Sequence, residues 1–224
     1  MELAQSRHPI RHVVILGHPT PKSFNHAIAA RYCQTVRECG QEAVLRDLYE
    51  LDFDPRLHAD KRPGLPTNRL TGDIANELSL LRAAQAITFV YPLWFGMPPA
   101  IIKGYVDRVL GAATTPRQIK HDVPDSILHG KTFSTLSTSA TTRAWLEEQG
   151  QWVSLHQAFD LYLTSIFGMI DGGHTHFGAI VEDLDPHYAQ ETLKNVEQQA
   201  RRICSTIAAA RHADDLEIGI PGNN

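Results

Sequence analysis

At 224 residues, with 42% hydrophobic and 21% charged side chains, the chain is long enough to bury a real core but short for two ordinary domains. A formal charge of -4 gives no general attraction to nucleic acid or anionic membrane, and neither a signal peptide nor a membrane-spanning run is expected. Cys33, Cys39 and Cys204 have no metal-binding spacing and read as reduced thiols, so a cytoplasmic protein is expected.

His12 to Leu16 reads as a first buried strand. A helix opens at Ser23 and carries Ile28, Tyr32, Val36 and Cys39 on one stripe, with Gly40 as its stop signal. Glu42 to Leu48 is the second strand. From Tyr49 to Gly72 the text is irregular, with Pro55, Pro63, Gly64 and Pro66, an excursion suited to a substrate lid or a docking surface. A short helix is predicted from about Thr71 to Ala84, then a buried strand from Ala86 to Tyr91 that ends at Pro92. The next helix opens at Pro98-Pro99, buries Ile101, Ile102, Tyr105, Val106, Val109 and Leu110, and stops at Gly111. Lys103 and Arg108 are expected to serve pairing on its surface. Lys131 to Leu136 is a fourth strand, followed by the small polar run Ser137 to Thr142. A helical stretch from about Val153 to Phe167 leads to a fifth strand around His174 to Val181. The last helix, Pro186 to Ala210, aligns Leu193, Val196, Ala200, Ile203 and Ile207. The polar tail from His212 to Asn224 is expected to be mobile or draped on a partner subunit. Strand and helix periodicities alternate throughout, which predicts a single α/β domain, with its core at about 10–210 and helices on both faces of one sheet.

In a parallel sheet the ligand site lies outside the carboxyl ends of the strands, so three loops converge. The first is Gly17 to Asn25, where His18, Lys22, Ser23 and Asn25 surround a helix N-terminus suited to a phosphate; an ordinary strand-to-helix turn would use similar residues. The second is Tyr91 to Pro99, whose adjacent Trp94 and Phe95 form a cofactor wall, or else a core plug or a dimer contact. The third is Ser137-Thr138-Ser139, small enough for backbone N–H groups to approach a planar heterocycle.

These runs, together with Asp47-Leu48-Tyr49, Phe53-Asp54-Pro55 and Lys103-Gly104-Tyr105-Val106-Asp107-Arg108-Val109, resemble the NAD(P)H quinone dehydrogenase family of flavodoxin-like flavoproteins. The resemblance implies a doubly wound five-stranded parallel sheet in the order 2-1-3-4-5, a tightly bound flavin, and a homodimer with active sites at the subunit interface. It implies that His18, Ser23, Phe24 and Asn25 hold the flavin phosphate and ribityl chain, and that Pro92, Leu93, Trp94, Phe95 and Gly96 line the ring. Ser137, Thr138, Ser139 and Ala140 would supply backbone donors to the ring's pyrimidine edge. NAD(P)H would pass a hydride to the flavin, leave, and be replaced by a quinone-like acceptor in a ping-pong cycle.

The chain departs from that family where its members steady the reduced flavin. Trp145 stands in place of a Tyr and Gln151 in place of a His, and an indole N–H does not transfer its proton at accessible pH. His156 is a further candidate for the substrate pocket. Gln190 falls where FAD-binding relatives place a basic residue, which favours FMN over FAD. His174 and His176 share one strand face as a pair of metal ligands would, but no carboxylate or Cys stands near them in sequence, so no metal site is expected. The alternative to an enzyme is a regulatory flavoprotein that docks on another protein such as a membrane transporter.

Overall fold

The computed structural model describes residues 8–58, 72–113 and 126–218. Five parallel strands form one sheet in the order β2-β1-β3-β4-β5: β1 (Arg11–Leu16), β2 (Glu42–Asp47), β3 (Ala86–Pro92), β4 (Thr132–Thr138) and β5 (Ile170–Phe177). Strand order reverses between β1 and β3, which leaves a crevice at their carboxyl ends. Along β1, Val13 and Ile15 join the core on one face while Val14 and Leu16 join the core on the other.

Helices α1 (Phe24–Glu38) and α7 (Pro186–Ile218) cover one face, packing Ile28, Tyr32 and Val36 against Val196, Ala200 and Ile203. The other face is covered by α2 (Gly72–Ala83), by α3 (Ala100–Tyr105) with its π-helical continuation Val106–Leu110, and by a second helical run. That run comprises α5 (Gln151–Leu155), a π-helical turn at His156–Leu161, and α6 (Tyr162–Phe167). No helix among the described residues is long and apolar enough to cross a membrane.

The element order follows the sequence pattern, with five differences. β5 begins and ends four residues before the predicted span, and it carries a bulge at Gly172-Gly173, where Phe133 pairs with Asp171 and Ser134 with Gly173. Ser137 and Thr138 belong to β4 rather than to the loop after it. A short helix, α4 (Arg143–Glu148), was not expected; the Thr142 side chain caps it by accepting from Trp145 N. α7 continues through the expected tail as far as Ile218. Arg108, expected on a helix surface, is 4% exposed and reaches Asp73 Oδ2 at 3.0 Å and the Asp54 carbonyl, which ties the start of the long excursion to α3. The rest of that excursion, 59–71, lies outside the described residues.

Candidate functional site

The crevice between β1 and β3 opens into a cleft of about 1000 Å³. His18, Ser23, Phe24 and Asn25 line it from the loop after β1, Pro92, Leu93 and Trp94 from the loop after β3, and Thr138, Ser139 and Ala140 from the end of β4. A smaller cavity of about 310 Å³ continues it past Leu93, Ser139 and Ala140, and there Phe95, Gly96, Trp145 and Gln151 line the wall. Ser137 and His156 line neither cavity: Ser137 is fully buried inside β4, and His156 contacts Asp160 in the helical run behind the sheet.

At the α1 end the local chemistry favours an anion. Ser23 occupies the N-cap position but does not cap the helix. Its Oγ lies 2.8 Å from His26 Nδ1, and His26 Nε2 lies 2.8 Å from Asp47 Oδ2. A carboxylate only accepts, so a neutral His26 donates from Nε2 to Asp47 and takes the Ser23 proton at Nδ1. His26 N and Ala27 N donate to the Ser23 carbonyl at 3.0 and 3.2 Å, so the N–H groups of Phe24 and Asn25, given no side-chain partner by Ser23, are the ones open to a ligand. Asn25 strengthens this reading. Its Oδ1 accepts from Thr138 Oγ1 at 3.0 Å, while its buried Nδ2 has no partner among the described residues. An unpaired buried amide costs about 1–3 kcal/mol, and an oxygen-rich group in the cleft would remove that cost. His18 accepts from Thr20 N at 3.1 Å through Nδ1, and burial holds its imidazole below the ordinary histidine range. Nε2 of the neutral ring then carries the proton as a donor.

The aromatic wall is a tight turn. Trp94 and Met97 exchange backbone hydrogen bonds of 3.1 Å in both directions, with Phe95 and Gly96 between them at φ 51 and 78. Phe95 is thrown fully into solvent and Trp94 is left 42% exposed, beside the His18 ring at 6.0 Å. A left-handed Phe costs about 1–2 kcal/mol, so something must hold the turn. Gln151 does so: its Nε2 donates to the Gly96 carbonyl at 3.1 Å. Trp145, 49% exposed, stands across the same small cavity.

Backbone donors from the β4 run are fewer than expected. Ser139 N already donates to Phe177 O at 3.1 Å, and Ser137 and Thr138 lie within the strand ladder. Ala140 is exposed and lines both cavities. Ile180 to Leu184 also line the cleft, a contribution hidden in sequence by the expected strand to Val181. The fold also supplies a carboxylate that sequence proximity did not show: Asp160 Oδ2 lies 2.7 Å from His174 Nδ1 and 3.2 Å from His156 Nδ1.

A doubly wound sheet of order 2-1-3-4-5, with its cleft at the switch point and an anion-ready helix at one end, defines a flavodoxin-like protein. The family profile described as the flavodoxin-like fold (Flavodoxin_2) matches residues 11–206, and the chain belongs to that family. It is 41% identical over 102 residues to an uncharacterized NAD(P)H oxidoreductase of Haemophilus influenzae, a match covering 45% of this chain and 50% of that one. The chain spans about half the length of the curated relatives it matches. Among solved structures, an NAD(P)H:quinone oxidoreductase from Methanothermobacter marburgensis superposes with a TM-score of 0.71 at 22% identity, covering 88% of this chain and 96% of that one. An FMN-dependent NADH-azoreductase from Bacillus anthracis, in complex with FMN, gives 0.58 at 15% identity, covering 87% and 99%.

Proposed function

We propose that the protein is a flavin-dependent NAD(P)H oxidoreductase that reduces quinones or related acceptors by two electrons in a ping-pong cycle, on a single domain. The observation that carries the reading is the unpartnered Asn25 amide beside the uncapped start of α1, in a cleft whose far wall presents Trp94. One end of the cleft is short of an anion's oxygens and the other is short of a flat apolar face, and a flavin phosphate supplies both. A flavin held there would supply hydride transfer from NAD(P)H to the acceptor. The residues' part is to hold the phosphate with His18, Ser23 and Asn25, to pack the ring against Trp94 and Phe95, and to exclude water.

FMN fits better than FAD. Gln190 stands where FAD-binding relatives place a basic residue for the adenylate half. A nicotinamide donor stands in the names of all three proteins, a quinone acceptor in that of the Methanothermobacter protein, and FMN in that of the azoreductase, which supports the reading. We further infer a homodimer, because Val153, Leu161 and Tyr162 leave apolar surface in solvent along the helical run behind the site. Unpaired Cys33, Cys39 and Cys204 fit a cytoplasmic location.

The test is to purify the protein, identify any released flavin, and follow NADH and NADPH oxidation with and without menadione. A colourless protein that neither flavin reconstitutes would end the proposal. A yellow protein that NAD(P)H does not reduce would favour a regulatory flavoprotein. Sedimentation in the micromolar range decides the dimer.

A further inference from the structure

Behind the cleft, a chain of buried hydrogen bonds runs across β4 and β5. Ser139, in the wall of both cavities, places Oγ 2.9 Å from His176 Nε2. His176 Nδ1 is 2.8 Å from Ser137 Oγ, and Ser137 Oγ is 2.6 Å from His174 Nε2. His174 Nδ1 ends the chain on Asp160 Oδ2 at 2.7 Å, and Asp160 Oδ1 accepts from Thr135 Oγ1 at 3.2 Å. Ser137 is fully buried, and the side chains of Asp160 and His174 are 4% and 1% exposed.

The carboxylate fixes the directions from its own end as far as His176. Asp160 accepts, so His174 donates from Nδ1 and, when neutral, accepts the Ser137 proton at Nε2. Ser137 then accepts from His176 Nδ1–H, and His176 Nε2 accepts from Ser139 when that hydroxyl turns to the ring from the Thr141 carbonyl, which lies 2.8 Å from its Oγ. Each hydroxyl and ring thus gives a proton toward Asp160 and receives one from the cleft side. Trp152 packs its ring on both histidines, with centroids at 4.7 and 5.6 Å, and the Arg143 guanidinium covers its indole at 4.3 Å. Burial, with His174 and Arg143 nearby, pushes His176 down to about 4, so it stays neutral and can relay. The helical run widens to a π-turn at His156–Leu161, which carries Asp160 and lets His156 contact the same carboxylate oxygen.

We propose that Ser139, His176, Ser137, His174 and Asp160 form a single-proton store serving the cleft, in place of the Tyr and His that Trp145 and Gln151 replace. It rests on the flavin reading above. When the cleft is open to water, a proton taken at Ser139 shifts each hydrogen one position along the chain and is held as a His174 imidazolium against the Asp160 carboxylate. When an acceptor covers the cleft, the shifts run back. Each quinone reduced takes one hydride, which originates in NAD(P)H, and one proton from the Ser139 hydroxyl. Ser139 recovers a proton from His176, His176 from Ser137 and Ser137 from His174, which ends neutral. Thr141 Oγ1, 3.2 Å from Ser139 Oγ and exposed, lies at the cleft end of the path. His174 and Asp160 are positioning residues for this transfer.

Two readouts test it. In the flavin-free protein, nitrogen-15 NMR of the imidazoles should show His174 and His176 both protonated at Nδ1, with slowly exchanging protons. Ser137→Ala should release the His176 proton and leave the His174–Asp160 pair intact, while Asp160→Asn should change the His174 tautomer. In the flavin-loaded protein, Ser137→Ala should leave reduction by NAD(P)H within about 2-fold and slow the menadione half-reaction about 100-fold. His176 in the Nε2–H form in both proteins, or an unchanged menadione half-reaction in Ser137→Ala, would overturn the store. So would stoichiometric zinc uptake lost in both His156→Gln and Asp160→Asn, which would give these groups to a metal. Should Ser137→Ala fail to fold, Asp160→Asn carries the test through its changed His174 tautomer and a slowed menadione half-reaction. A protein that binds no flavin overturns the functional reading instead, and is told apart because the tautomers are read without it.

Discussion

Gly96→Ala tests the clasp that shapes the aromatic wall. Gly96 and Gly40 have nearly the same left-handed backbone, at φ 78 and 76, so alanine pays the same conformational cost at each, about 1 kcal/mol. Their surroundings differ. A Cβ at Gly40 meets nothing within 4 Å, whereas one at Gly96 lies 2.5 Å from Gln151 Cδ and closer still to Nε2. The amide must swing away, and its hydrogen bond to the Gly96 carbonyl is lost, for about 1 kcal/mol more. Urea unfolding should therefore place Gly40→Ala at about 1 kcal/mol and Gly96→Ala at about 2 kcal/mol of destabilisation. In a Gln151→Ala background the Gly96 cost should fall to the Gly40 value. Flavin affinity, read by fluorescence quenching, should weaken about tenfold in Gly96→Ala and stay unchanged in Gly40→Ala. Equal costs at the two glycines, or no change in the double variant, would show that Gln151 does not hold the turn.

Asn25→Asp replaces the unpartnered donor by a negative oxygen while keeping an acceptor for Thr138; FMN affinity should fall about 100-fold with little loss of flavin-free stability, and unchanged FMN binding would remove the phosphate assignment. His18 is held below its ordinary range in the free protein, and a phosphate dianion favours its protonated form, so FMN should bind more tightly at pH 6 than at pH 8 while riboflavin, lacking phosphate, should not. Calorimetry at both pH values checks the sign. His12 and His176 are buried and depressed, so their contribution to stability is complete above pH 6.5 and is lost as pH falls below it, for His176 toward about 4. For His176 the shift from 6.5 to about 4 corresponds to about 3 kcal/mol at most, and thermal midpoints between pH 7 and pH 4 should fall less in His176→Gln than in the parent protein.

Much of the cleft was legible because it is built from loops that follow apolar strands. Trp94 and Phe95 bracketed by prolines, and small residues after β4, carry their meaning within a few positions of sequence. The misread features depend on contacts between distant segments. β5 starts at Ile170 rather than near His174, and its bulge at Gly172-Gly173 is defined only by pairing with β4, which requires one extra residue in the ladder. Asp160 looks like an ordinary helix carboxylate, and only the packing of the second helical run under β5 sets it against His174, 14 residues away. Ser23 resembles a plain N-cap because the histidine that takes its hydroxyl depends in turn on Asp47, at the end of a neighbouring strand.

That diverted hydroxyl has a consequence for how the protein persists in a cell. A helix start without its cap forgoes about 1 kcal/mol, and whichever ligand seats there returns it. The first turn of α1 should thus be among the earliest segments to fray when the cofactor is scarce, visible as rapid amide exchange at Phe24 and Asn25. Under the proposed function, flavin supply would then set not only how many molecules are active but how long each survives proteolysis.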